Sequence, residues 1–85
     1  MAFGKYDALD KIIHSLSYTV QNLDKLPKEM KDILYGHLVQ ASVALGSDKN
    51  NYSYEEVMKH LYDFVDEVNT IESKLGKDQV DLLSP

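Results

Sequence analysis

At 85 residues the chain has room for one domain, near the lower limit at which a single core suffices. With no cysteine, neither disulfides nor thiolate-bound metal can reinforce that core. The net charge is −5 and all nine basic residues are lysine, so the planar arginine fork and basic face that nucleic-acid binding uses are both missing, and no nucleic-acid partner is expected.

The opening MAFGKYDALD carries acids where a signal peptide needs a basic end followed by an apolar run. No apolar run approaches the roughly 18 residues of a membrane span. The expectation is a cytoplasmic protein, bacterial or viral in style, with no membrane span.

In chain order, Leu9, Ile12, Ile13, Leu16, Val20 and Leu23 recur at steps of three and four, with Tyr6 one turn earlier. That spacing predicts an amphipathic helix over about residues 5–25. Pro27 punctuates the chain and suits the first turn of the next helix. Met30, Ile33, Leu34, His37, Leu38, Ala41 and Leu45 make the second stripe, predicting a helix over 28–45. Gly46 is placed to end it in a left-handed conformation, and GSDKNNYS has the composition of a loop.

Ser53 and Glu56 form an S-x-x-E capping box. Val57, Leu61, Phe64, Val65, Val68, Ile71 and Leu75 follow, predicting a third helix over 54–75, closed by Gly76. The fold expected is all-α: a three-helix up-down-up antiparallel bundle, one domain over residues 1–76 with a C-terminal tail over 77–85. Val80, Leu82 and Leu83 in that tail are candidates to dock on the bundle.

The sharpest chemical pattern is Glu56, His60, Asp63 and Glu67, which share one edge of the third helix. Carboxylate and imidazole at such spacing can ligate zinc, iron or manganese. Bundle metal sites draw ligands from several helices with an E-x-x-H motif facing the core. Here the spacing is E-x-x-x-H on a flank, and Asp10 with His14 is only a lone pair. A metal-binding bundle is therefore the alternative from another class, and no metal or cofactor is expected.

No enzyme is expected either. Ser15, Ser17, Ser42 and Ser53 sit in no strained elbow of the G-x-S-x-G kind, and no catalytic residue stands out. His37 lies in the second stripe and is expected to be a largely buried, neutral imidazole bonded to a neighbouring helix; a pH-sensitive switch is the functional alternative.

The stretch LYGHLVQASVAL, residues 34–45, is apolar in nearly every direction. Opposite its main stripe it carries Tyr35, Val39 and Val43 beside Gly36. A helix apolar all round is normally buried all round. Glycine mid-helix costs about 1 kcal/mol against alanine, and close approach of another backbone is one compensation. Tyr18 and Tyr62, like Tyr35, are turned away from the core stripes by the helical wheel, and tyrosine is favoured at interfaces.

Tyr35, Gly36, Val39, Val43, Tyr18 and Tyr62 are thus the candidate partner-binding residues. The expected function is a non-enzymatic, acidic interaction module (adaptor, inhibitor or regulator). Its partner is another protein or a second copy docked through the second helix. The alternative is a bacteriocin-immunity or antitoxin-like inhibitor protein, since small acidic helical proteins often serve in such roles; the analogy is of size and charge alone.

Overall fold

The computed structural model describes residues 4–75. Three helices run up, down and up: α1 (Lys5–Gln21), α2 (Lys28–Leu45) and α3 (Tyr54–Leu75). The second and third have the predicted ends. The first stops at Gln21, four residues short of the predicted 25.

Local chemistry explains the early stop. The backbone N–H of Asn22 donates to the carbonyls of Tyr18 and Thr19, and that of Leu23 to Val20, a tightening of the last turn. The Asn22 side-chain amide also donates to the Tyr18 carbonyl at 2.9 Å. Downstream, Leu26 precedes Pro27, and the proline ring disfavours helical geometry in the residue before it. Leu26 is nevertheless buried, and Leu23 packs partly against the core. The apolar stripe continues past the helix because burial does not require helical backbone.

Pro27 takes the N-cap position of α2, its carbonyl accepting from the N–H groups of Met30 and Lys31 at 3.1 Å. Gly46 ends α2 with φ 68°, positive as expected. Its ψ of −165° lies outside the left-handed helical well, in a region essentially restricted to glycine. At the start of α3 the Ser53 Oγ accepts from the Glu56 N–H at 3.2 Å, the cap half of the predicted box. Gly76 and the tail 77–85 lie outside the described residues.

α2 is the middle helix. It packs more extensively on α3 than on α1, and α1 touches α3 only slightly. The core is built from Leu9, Ile13 and Val20 of α1, Leu34, Leu38, Ala41 and Leu45 of α2, and Val57, Leu61, Phe64, Val68 and Ile71 of α3, with Leu26 closing one end. Burying each large side chain contributes roughly 1.5–3 kcal/mol. Among the described residues no polar side chain is fully buried. Ile12 and Ile33, expected in the stripes, stand at their edges and are exposed by nearly half.

The other end of the bundle is joined by polar and aromatic contacts. Tyr6 Oη donates to the Gly46 carbonyl at 2.7 Å, and its ring meets Tyr52 edge-on at 5.5 Å. Lys5 Nζ stands 5.0 Å from the centre of the Tyr54 ring. The start of α1 is thus anchored to the end of α2 and to the loop leading into α3.

Candidate interaction surface

The position of α2 between two neighbours accounts for its breadth of apolar surface. Tyr35 lies on the flank that meets α1. Its ring packs partly against the core and its hydroxyl donates to the Ser17 carbonyl at 3.4 Å. The expectation that Tyr35 turns away from the core is corrected: a wheel drawn for one helix does not show where a second neighbour sits.

On the opposite flank His37 meets α3, with Nε2 3.7 Å from Glu67 Oε1. Both side chains keep about a quarter of their surface exposed, at 25% and 28%. His37 is therefore largely buried, as expected, and the neighbour it meets on α3 is the Glu67 carboxylate. The apolar stripe of α2 is bounded there by a polar pair.

Once both flanks are covered, a narrow strip remains on the outer side of α2. Val39 is 58% exposed and Val43 75%. Gly36 lies on the same strip, and a Cβ built on it would meet nothing within 4 Å. No backbone within the described residues approaches this glycine, so the close approach expected for it is not made inside the bundle. Tyr18 on α1 and Tyr62 on α3 are 69% and 63% exposed. They stand on different helices from the α2 strip, on which Gly36, Val39 and Val43 share a face.

The edge of α3 that carried the metal alternative does not close into a ligand set. Among the described residues no three histidine, aspartate or glutamate side chains converge as a metal site. Glu67 faces His37, Glu56 is exposed, and Asp63 is half-buried with His60. His60 Nδ1 is shielded from solvent with no hydrogen-bond partner among the described residues. On α1, His14 Nε2 and Asp10 Oδ1 form an exposed local pair at 3.3 Å, one turn apart.

No family model, curated protein or solved structure matches this chain. The chemistry of the surfaces is therefore the guide to function. No described helix is long and apolar enough to cross a membrane.

Sequence reasoning singled out Tyr62 but missed the surface to which it belongs. On the outward side of α3, Tyr54, Met58 and Tyr62 line a shallow, mostly apolar depression edged by Glu55, Lys59 and Asp63. The signal was present in the sequence as an aromatic or methionine at every fourth position, 54, 58 and 62. It was hidden because those positions fall beside the main stripe of α3 and outside it.

Proposed function

We propose that this chain is a non-enzymatic interaction module of the cytoplasm that acts by masking a surface of another protein or of a second copy. One observation carries the reading: Val39 and Val43 project from α2 away from both neighbouring helices, at 58% and 75% exposure, beside the uncovered Gly36. Single exposed apolar residues are ordinary. Here they fall on the face where a glycine also leaves the helix backbone open, which suits close packing of a second helix. The flanking Asp32, Gln40 and Ser42 are exposed and give the strip a polar rim.

The test is molecular mass in solution over a range of concentrations, with affinity capture from a host lysate, for the wild type and for Val39→Glu. The charge leaves the core stripe untouched, so the variant retains its helicity while dimerisation or partner capture is lost. A wild type that stays monomeric at high concentration and recovers no partner would refute the proposal.

A further inference from the structure

The charge of this protein is distributed unevenly. In α1, Lys5 and Lys11 balance Asp7 and Asp10; in α2, Lys28 and Lys31 balance Glu29 and Asp32. In α3, Glu55, Glu56, Asp63, Asp66, Glu67 and Glu72 stand against only Lys59 and Lys74. The negative potential of the helical bundle is therefore concentrated on one helix. Glu67 faces His37 across the α2 contact, whereas Glu55, Glu56 and Asp66 are exposed and Asp63 is partly so.

The same helix carries the depression lined by Tyr54, Met58 and Tyr62. These residues recur every fourth position, so the apolar track runs about 12 Å along the axis at 1.5 Å per residue. Tyr54 is 43% exposed and Tyr62 63%, while Met58 packs partly against the core and forms the floor. Tyrosine and methionine together make an adaptable contact surface: flat rings with polar tips around a flexible thioether. Glu55 and Asp63 edge the track, with Lys59 the lysine among its lining residues. Asp66 continues the acidic rim one turn beyond Tyr62.

We propose that this depression is a docking site for a cationic amphipathic helix. Its apolar residues, spaced three and four apart, would seat between Tyr54, Met58 and Tyr62, and its lysines or arginines would face Glu55, Asp63 and Asp66. The length and direction of the track suit a helix laid along α3. The surplus of carboxylates selects a basic partner and steers its approach. This site lies on a different helix from the outer strip of α2, and the variants below distinguish the two.

The probe is a fluorescently labelled synthetic peptide of about 14 residues, four helical turns, with leucines on one face and lysines on the other. A counterpart with glutamate in place of every lysine is the control. Fluorescence anisotropy with the full 85-residue chain shows saturable binding of the lysine peptide, weakened by salt, and none of the glutamate peptide. Tyr62→Ala, which changes no charge and touches no core position, weakens binding about tenfold or more, as expected of an aromatic anchor. Asp63→Lys weakens it further, and Val39→Glu leaves it unchanged.

Equal binding of both peptides would overturn the charge argument. Binding of the lysine peptide indifferent to Tyr62→Ala would show a diffuse attraction to the acidic helix and overturn the docking site. Loss of binding in Val39→Glu alone would overturn this site in favour of the α2 strip. A mass measurement showing a dimer broken by Tyr62→Ala would also overturn it, since a second copy would then be the occupant.

Discussion

α2 and α3 are both buried along one side, yet they present opposite surfaces to solvent. α3 is sharply divided: Val57, Phe64 and Val68 are fully buried, and its outer side is dense in carboxylates. α2 is blurred, because its apolar surface is shared between two neighbours and some of it, at Val39 and Val43, is left over. An outer helix needs one apolar stripe and can fill the rest with charge. A middle helix needs a stripe wide enough for two contacts, so residues beyond the second contact look like core in sequence and stand in solvent in the fold. The exposed valines of α2 are anomalous only after both neighbours have been placed.

The two helices differ most at Phe64 and Val43. Phe64→Ala, on the inner side of α3, is expected to cost about 3–5 kcal/mol, whereas Val43→Ala on the outer side of α2 stays within about 0.5 kcal/mol. Urea unfolding midpoints at equal slope give both values. Similar costs would mean that the outer strip of α2 is part of the core.

A smaller effect tests how α3 is defined at its start. Ser53→Ala removes the hydroxyl that accepts the Glu56 N–H and is expected to cost about 1 kcal/mol. An unchanged midpoint would place the first turn of α3 under the control of loop packing rather than the cap.

The smallest expected effect is at Gly36 of α2. Gly36 is helical and faces open space, so Gly36→Ala is expected to raise the stability of the monomer by roughly 0.5–1 kcal/mol. If the strip packs closely on a partner, the added methyl weakens that association while stabilising the free protein. Thermal melts and mass measurements on the one variant show both outcomes. A variant that gains stability and associates as strongly as wild type would argue against close helix packing at this glycine.

How much of this was legible in sequence differs by element for physical reasons. α2 announces both ends, at Pro27 and Gly46, and α3 announces its start at the Ser53 cap. α1 announces its end weakly. Leu23 falls in step with Val20, so periodicity carries the helix onward, while the stop rests on Asn22 and on the proline beyond it. Leu26 follows Leu23 at a step of three and carries the stripe into the connection, where its burial does not depend on helical backbone. The candidate surface was legible at Val39 and Val43, which lie opposite the stripe. By period Tyr35 falls opposite the stripe and His37 within it; both stand on flanks of α2, where the surroundings depend on which helix packs there. The depression on α3 needed the fold as well, because its residues matter together only where α3 faces outward.

The slight contact between α1 and α3 has a dynamic consequence. α1 is held mainly by one neighbour, so it can lift away while α2 and α3 remain paired around Leu34, Leu38, Phe64 and Val68. Such a partial opening requires less free energy than global unfolding. Amide protons of α1 should then exchange with deuterium earlier than those at the α2–α3 seam, and their exchange should depend less steeply on denaturant. Hydrogen exchange read by nuclear magnetic resonance would resolve the two groups, while a single rate class across all three helices would show one cooperative unit. An opening of this kind would uncover Leu9, Ile13 and Val20 together, giving the protein a transient sticky face built from the inner side of α1.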